Sequence, residues 1–464
     1  MSARVVARSR GLATFVLVFA SFMDLIDGTI VNVALPSIRD DLSASPAQLE
    51  WVVGAYLLSF AVLLVTGGRL GDIYGTKVAF AAGLCGFVLT SLWCGLAQSG
   101  PELIVARLAQ GAMAALMVPQ VLATLHVLFA DAARGRAFAI YGIVLGLAGA
   151  AGFALGGVLV TLDLAGLGWR TVFFVNVPFG LVILIAALRI MPTMPRRAGT
   201  RLDVAGAGLL LLGVLCLIGP LLFGRDLHWE PWLWAVMITG MAVLAVVPSV
   251  ERAVARRGGM PVIDPALLAD PVFTRGLGAA FCFYLANLSF YLVMTLYMQQ
   301  GLGIPPLQGG MVFMPLALSF VLASRQSAAR VRHRGVLVLM EGCTIQLTGL
   351  AALVLTLSLV ATPTALLLAL VLTIFGYGQG LVMAPLSCAV LSTVRPASAG
   401  SGAGLYGTTA QIANAAGVAI IGAVFFAIDD AYPVRTALFA AIGLFALAIV
   451  TAVAFLSWMR RAIA

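Results

Sequence analysis

Three acidic residues and one arginine lie inside apolar stretches of this sequence, where lipid or protein interior disfavours ionised side chains. Asp24 and Asp27 are three residues apart, which places both carboxylates on one face of a helix. Arg107 and Glu341 lie in two later apolar stretches. Because an ionised group at the centre of a membrane helix costs at least about 2.5–3.5 kcal/mol, each is a candidate for function. We predict that these four residues form a proton-coupling set.

The neighbouring carboxylates suggest how the set would work. Asp24 and Asp27 cannot both ionise cheaply in a low dielectric, so at least one is expected to exchange a proton. Arg107 stays charged and needs an anionic partner. We expect it to contact Asp27 when that acid is ionised and to loosen when it is protonated; the alternative is a permanent structural ion pair. For Glu341, an ion pair at the membrane interface and a second protonation or cation site both stay open.

The elements that position these residues must be membrane helices. Of the 464 residues, 62% are hydrophobic and only 10% are charged, whereas soluble domains carry about 25% charged residues. A helix needs about 20 apolar residues to cross a bilayer. Fourteen stretches satisfy this need, near 12–35, 48–70, 78–98, 101–125, 137–160, 170–191, 203–223, 231–250, 273–298, 307–330, 336–359, 362–391, 402–427 and 434–458. We therefore predict an all-α, multi-pass membrane protein with 14 transmembrane helices.

The basic residues predict the orientation of the chain. A net charge of +9 would suit a nucleic-acid partner only if the charges shared one face, and here they are scattered over short loops. With a cytoplasmic N-terminus, the termini and inner loops hold twenty-two of the 27 basic residues and the outer loops hold four. This asymmetry follows the positive-inside rule. The sequence thus predicts two cytoplasmic termini, a retained first helix rather than a signal peptide, and no nucleic-acid partner.

An internal repeat predicts two related halves. A pattern in the fifth span recurs in the thirteenth, with every position 265 residues later: Tyr141, Gly142, Gly152 and Gly157, then Tyr406, Gly407, Gly417 and Gly422. The alternative is a chance match between glycine-rich helices. We predict six-helix bundles at 1–191 and 259–464, related by a pseudo-two-fold axis, with an inserted helix pair at 192–258. Applied to the acids and Arg107, the shift gives Ser289, Leu292 and Leu372, so proton chemistry is expected in the first half alone.

The short loop between the second and third spans has the composition of a gate. Gly68 and Gly75 permit a tight turn, and Lys77 follows them. Asp72 is expected to accept hydrogen bonds from a helix N-terminus or a neighbouring arginine on the inner face. Such a contact would have to break when the halves move. The loop lacks the Gly-Lys-Ser/Thr ending of a phosphate-binding loop.

The second half is expected to shape the substrate cavity. A polyspecific cavity is apolar and adaptable, with a few polar groups for orientation. By helical face the candidates are Tyr284, Asn287, Tyr291, Met294, Tyr377, Gln379, Gln411 and Asn414. Ordinary helix packing is the alternative for each of them. Since Glu341 is the only acid at membrane depth in this half, neutral or singly charged amphipathic compounds are favoured over dications.

Several of these motifs, in this order, resemble the major facilitator superfamily and, within it, the fourteen-helix drug/proton antiporter branch. Residues 27–36 resemble the helix-1 signature of that branch, and residues 68–77 resemble the cytoplasmic gating motif of the superfamily. Arg107, with Gln110 and Gly111, resembles a motif whose arginine the family associates with proton coupling. A helix-5 motif is also similar, at Gly146, Gly152, Gly156 and Gly157. It differs at Phe153, where antiporters usually carry proline.

The resemblance implies a secondary active transporter. We predict a proton-coupled exporter of amphipathic drugs or antibiotics that works by alternating access, as a monomer, in the bacterial inner membrane. Its partners would be lipid, protons and a small amphipathic substrate, with no cofactor besides the proton gradient. Because of Phe153, an uptake transporter on the same scaffold stays open. An intramembrane enzyme is disfavoured because the three histidines are far apart and no metal-ligand or nucleophile–base spacing occurs, so we predict no catalytic or metal site.

Overall fold

The computed structural model describes residues 3–129, 131–162, 166–192, 203–224, 227, 229–256, 261, 263–304, 306–429 and 431–463. Within those residues the regular elements are all helical. The long helices are α1 (Ala3–Leu42), α2 (Pro46–Tyr74), α3 (Thr76–Leu96), α4 (Gly100–Leu128), α5 (Asp131–Leu162), α6 (Asn176–Ile190), α7 (Val204–Phe223), α8 (Pro231–Arg256), α9 (Pro271–Leu296), α10 (Pro306–Arg334), α11 (Leu337–Leu359), α12 (Ala365–Leu391), α13 (Ala399–Asp429) and α14 (Val434–Ile463). Short helical turns at Gly168–Arg170, Thr171–Phe174, Pro265–Ala269 and Pro396–Ser398 precede α6, α9 and α13.

Each predicted span coincides with one of these helices. Twelve of the helices described are long and apolar enough to cross a membrane. The remaining two are α5, and α7 with its shorter apolar stretch Ala205–Leu221. The protein is therefore an all-helical, multi-pass membrane protein with twelve candidate spans, and the count of fourteen stays a prediction.

Local sequence explains where several helices begin and end. Ser45 caps α2: its hydroxyl accepts from Gln48 N, and the Gln48 side chain accepts from Ser45 N, while Pro46 opens the first turn. At the other end, Gly75 has a φ of +92°, which glycine adopts without strain, and α3 begins at once. The gating loop expected between these helices is thus reduced to a single-residue turn.

Helix pairing follows the same scheme in both halves. In the N-terminal half, α1 packs on α5 and α6, while α4 packs on α2 and α3. In the C-terminal half, α9 packs on α13 and α14, while α12 packs on α10 and α11. Adding eight to each helix number converts one set into the other. The halves meet where α2 packs on α13 and α5 on α10; α7 packs on α8 and against the α2–α13 seam.

Candidate functional site

Asp27 and Arg107 form an ion pair inside the N-terminal half. The Arg107 Nη1 atom lies 2.5 Å from Asp27 Oδ2, and the two side chains are 1% and 0% exposed. Arg107 also donates from Nη1 to Gln110 Oε1 at 2.7 Å and from Nε to the Val52 carbonyl at 3.1 Å. The expected partnership between α1 and α4 is therefore present, in the paired arrangement.

Two amide side chains complete the surroundings of Asp27. Gln110 Nε2 and Asn176 Nδ2 both donate to Asp27 Oδ1, at 3.0 and 2.7 Å. Asn176 also donates to Ser91 Oγ at 3.1 Å, which links α6 to α3. With three donors aimed at it, this carboxylate fits the ionised state. A proton on either oxygen would face a donor, so protonation requires the network to rearrange.

Asp24 has different surroundings, although it shares the helix. The Tyr56 hydroxyl donates to Asp24 Oδ1 at 2.5 Å. The ring of the same tyrosine lies 4.1 Å from the Arg107 guanidinium carbon, a cation–π contact. The hydrogen bonds that the structure describes thus do not join the two acids directly. Tyr56 links them indirectly, because its hydroxyl contacts Asp24 and its ring contacts Arg107, the partner of Asp27.

Glu341 lies apart from the other three residues of the predicted set. It pairs with Arg330 at 3.2 Å and with Arg334 at 3.5 Å, and its side chain is 34% exposed. Near the start of α11, this arrangement is the interface ion pair, one of the two alternatives that the sequence allows. The structure brings together Asp24, Asp27 and Arg107 only.

The gating motif joins the two halves. Asp72 Oδ1 accepts from Gly400 N at 2.8 Å and its Oδ2 accepts from Ser401 N at 2.9 Å, in the first turn of α13. This is the helix N-terminus contact expected of Asp72. Arg69 Nη1 lies 3.7 Å from the same carboxylate and is 1% exposed. Arg69 is thus buried beside the carboxylate that contacts α13.

Backbone contact explains the glycine of this motif. A Cβ on Gly68 would lie 2.0 Å from the Gly400 carbonyl oxygen, so only glycine lets α2 and α13 approach this closely. Lys77 Nζ donates to the Leu188 carbonyl at the end of α6, at 2.7 Å. The motif therefore closes one end of the interface between the halves and also fastens α3 to α6.

The helix-5 motif places α5 between α1, which carries Asp27, and the C-terminal half. A Cβ on Gly152 would lie 1.8 Å from Thr29 Oγ1 of α1, and one on Gly156 would lie 2.9 Å from Ile30. On another face of α5, a Cβ on Gly146 would lie 2.4 Å from the Phe320 ring of α10. The side-chain surroundings of Phe153 and Gly157 lie outside what the structure describes.

Three of the predicted cavity residues form one polar cluster. Gln379 Nε2 donates to Asn287 Oδ1 and the Tyr291 hydroxyl donates to Gln379 Oε1, both at 2.8 Å. The Tyr284 hydroxyl lies 3.4 Å from that of Tyr406. These contacts join α9 to α12 and α13, beside the helices that contact the N-terminal half.

The other predicted cavity residues are dispersed. Met294 is fully buried among apolar side chains, so predicting it as a lining residue was wrong. Tyr377 donates to Gln326 at 2.6 Å and borders a separate cavity of about 320 Å³. Gln411 and Asn414 are half-buried on α13. A further apolar cavity of about 760 Å³ lies between α11 and α14 and is lined by none of the predicted residues.

Sequence reasoning missed several residues of the site. Tyr56 and Tyr406 lie in apolar helices, and neither was proposed for a role because nothing in the spacing marks their contacts. Asn176 was missed because its contact with Asp27 spans 149 residues. Gln110 was the detectable one, since it lies one turn from Arg107 in the same motif.

Comparison with known proteins extends these observations. The chain is 34% identical over 426 residues to a probable actinorhodin transporter of Streptomyces coelicolor, covering 90% of this chain and 72% of the relative. It is 37% identical over 411 residues to a cephamycin export protein of Amycolatopsis lactamdurans, covering 87% and 82%. A puromycin resistance protein of Streptomyces alboniger is 32% identical over 426 residues, with coverage of 90% and 82%.

Solved structures share the fold at low sequence identity. The human organic anion transporter TETRAN superposes with a TM-score of 0.71 at 16% identity, covering 96% of this chain and 99% of the other. The proton:xylose symporter XylE gives a TM-score of 0.68 at 13% identity, with coverage of 97% and 95%. Residues 17–418 match the sequence profile of the Major Facilitator Superfamily. The resemblance found in the motifs is thereby confirmed, and the chain belongs to the major facilitator superfamily.

Proposed function

We propose that this protein is a proton-coupled exporter of amphipathic antibiotics or drugs that works by alternating access. The observation that carries the proposal is the buried Asp27–Arg107 pair, held by amides from α4 and α6. Relatives that match over most of the chain are named as export and resistance proteins, which favours antibiotics as substrates. The energy source would be the proton gradient, with no other cofactor.

The contacts around Asp27 suggest how protonation would move helices. Protonation would remove the negative charge that holds Arg107, and the hydrogen bonds to Gln110 and Asn176 would have to change with it. Because α5 packs against α1 at Gly152 and against α10 at Gly146, a shift of α1 would reach the other half. Opening of the opposite end would require Asp72 to leave the start of α13.

We also propose fourteen transmembrane helices. At about 1.5 Å per residue, the 32 residues of α5 span about 48 Å and the 20 residues of α7 about 30 Å, enough for a bilayer core of about 30 Å. With fourteen spans, the asymmetry of basic residues favours a cytoplasmic location for both termini in a bacterial cell. A single chain contains both halves, so we propose that a monomer is sufficient.

Transport in inside-out membrane vesicles tests the proposal. With the interior acidified, vesicles should accumulate puromycin, and adding puromycin should release protons from them. Asp27→Asn should abolish both effects, since it keeps the size of the side chain but cannot exchange a proton. The matched control is Asp41→Asn, which changes an exposed aspartate of the same helix and should transport normally.

Two results would contradict the proposal. If Asp27→Asn vesicles still accumulate puromycin under a pH gradient, the Asp27–Arg107 pair is only structural. Uptake of substrate by right-side-out vesicles with an acidic exterior, and none by inside-out vesicles, would favour the uptake transporter that Phe153 leaves open.

A further inference from the structure

An ionised Asp24 would have no ion-pair partner in the described part of the chain. Its one hydrogen-bond partner there is the neutral Tyr56, and no arginine, lysine or histidine that the structure describes lies within ion-pair distance. The nearby Arg107 is already paired with Asp27. With Arg107 and Asp27 cancelling, an ionised Asp24 leaves one net negative charge at membrane depth, which is unfavourable unless a cation or a proton joins it.

The face of α1 that carries Asp24 borders open space. Gly28 lies one helical turn further along this face, and a Cβ placed on it would meet no atom within 4 Å. Asp24 itself is half-buried, whereas Asp27 on the neighbouring face is 0% exposed. A bound molecule could therefore approach Asp24 without displacing the packing around Asp27.

Four tyrosines from both halves lie near Asp24. Tyr56 donates to Asp24, Tyr141 is close to both Asp24 and Tyr284, and the Tyr284 hydroxyl lies 3.4 Å from that of Tyr406. Tyr284 and Tyr406 have ring centroids 6.2 Å apart, at an interplanar angle of 79°. Tyr141 and Tyr406 are equivalent positions of the internal repeat, on α5 and α13. Aromatic faces attract organic cations, and phenol hydroxyls give such a site a few polar contacts.

We propose that Asp24, Tyr56, Tyr141, Tyr284 and Tyr406 form a binding site for one singly charged organic cation, here called the Asp24–tyrosine site. This inference rests on the proposed function and narrows its substrates to amphipathic compounds with one positive charge, such as a protonated amine. The cation would cancel the net charge left by Asp24, and aromatic rings would cover its apolar groups.

The site also explains how substrate and proton sites communicate. Tyr56 contacts Asp24 through its hydroxyl and Arg107 through its ring, so a cation at Asp24 would lie one side chain away from the Asp27–Arg107 pair. The bound cation and the Arg107 guanidinium, with only Tyr56 between them, would repel each other in a low dielectric. Binding of the cation would therefore favour movement of Arg107, the same movement that protonation of Asp27 permits.

Equilibrium binding to the purified full-length protein in lipid nanodiscs tests this inference. The probes are tetraphenylphosphonium, a permanent cation, and triphenylphosphine oxide, a neutral compound with similar aryl groups. The wild type should bind the cation more tightly. Asp24→Asn should raise the Kd of the cation about tenfold or more while leaving the Kd of the neutral probe within about twofold, and Asp24→Glu should restore binding of the cation.

A second variant keeps the test decisive if Asp24→Asn folds poorly. Tyr284→Leu removes one aromatic face without touching the carboxylate, and it should weaken cation binding about threefold to tenfold. Unchanged tetraphenylphosphonium affinity in a folded Asp24→Asn or Tyr284→Leu protein, or an equal loss for both probes, would overturn the inference. Absence of pH-driven transport by wild-type vesicles would instead count against the proposed function, because the binding assay needs no gradient.

Discussion

Equivalent helices in the two halves enclose opposite kinds of interior. In the N-terminal half, α1, α4 and α6 contribute Asp27, Arg107 and Asn176 to one polar network. In the C-terminal half, α9, α12 and α14 contribute phenylalanines: Phe290 stacks on Phe375 at 4.0 Å, and Phe445 meets Phe290 edge-on at 5.6 Å. The N-terminal half thus contains a charged cluster at the place where the equivalent helices of the C-terminal half form a close-packed aromatic cluster.

Under the proposed mechanism, the difference decides which half could respond to protons. The polar network would change its charge when a proton arrived, and its hydrogen bonds would then have to rearrange. Stacked phenyl rings have no such second state, and close packing resists deformation. At the positions predicted by the repeat, the Ser289 hydroxyl donates to the Leu285 and Ala286 carbonyls of its own helix, at 2.7 and 3.4 Å, and Leu372 is buried. The groups whose charge a proton would change therefore lie in the N-terminal half of this comparison.

Removing Arg107 should have the largest effect of any change in this comparison. Arg107→Leu leaves Asp27 buried without its counter-ion, which typically costs about 3–5 kcal/mol. We expect a large loss of thermal stability in detergent, measured by size-exclusion chromatography of heated samples, and no pH-driven transport.

The double variant Asp27→Leu, Arg107→Leu is the matched control for that prediction. It removes both charges together, and an apolar replacement of a buried pair is often neutral for stability. It should recover most of the stability while transport stays absent. A double variant as unstable as Arg107→Leu would show that the unpaired charge of Asp27 is not the cause of the instability. The comparison between the charged and the aromatic half would then be contradicted.

Substitution of Asn176 should have an intermediate effect. Asn176→Ala removes one hydrogen bond to a buried carboxylate, and such bonds contribute about 1.5–3 kcal/mol. We expect the pH dependence of transport to shift, measured as initial rates over a pH series, because the ionised form of Asp27 loses a donor. Val177→Ala is the neighbouring control. A pH profile identical to that of the wild type would remove α6 from the proton site.

A change in the aromatic cluster should affect stability but not coupling. Phe375→Leu keeps the position apolar but loses the stacking with Phe290, a loss of about 0.5–1.5 kcal/mol. Transport per folded molecule should keep the pH profile of the wild type. A shifted profile would mean that the C-terminal half also takes part in coupling, which would break the comparison.

The sequence predicted most of the fold because hydrophobic length and charge asymmetry are local properties of a chain. The helices coincide with the predicted spans, and the Asp27–Arg107 contact followed from the need of a buried arginine for an anion. Local spacing could not predict Tyr56, since its position between Asp24 and Arg107 depends on how α2 packs against α1 and α4. For the same reason Met294, on a plausible face of α9, is buried by neighbouring helices instead of lining a cavity.

Glu341 shows the limit more sharply. It was judged by its depth along the sequence, yet exposure depends on what covers a helix. Glu341 is partly exposed beside two arginines, whereas Asp27 is 0% exposed. Charge at membrane depth therefore identifies candidates, and only packing decides which of them are buried together.

The smallest effect is expected at a second aspartate–arginine pair, whose aspartate also lies on α1. Because this pair is exposed, it tells the effect of burial apart from the effect of pairing. Asp41 pairs with Arg170 at 2.5 Å, but the side chains are 48% and 26% exposed, and exposed pairs contribute about 0–1 kcal/mol. Hydrogen bonds from Arg170 and Trp169 lower the pKa of Asp41 below its usual 3.8. The stabilisation by this pair is therefore present above pH 3.8 and is lost as the pH falls through the lowered pKa.

Asp41→Asn should reduce thermal stability slightly and equally across neutral pH, with the difference from the wild type vanishing only in strong acid. Transport should keep its pH profile, because solvent screens the charges of this exposed pair. An effect as large as that of Arg107→Leu would mean that pairing, rather than burial, distinguishes the Asp27–Arg107 pair from other ion pairs.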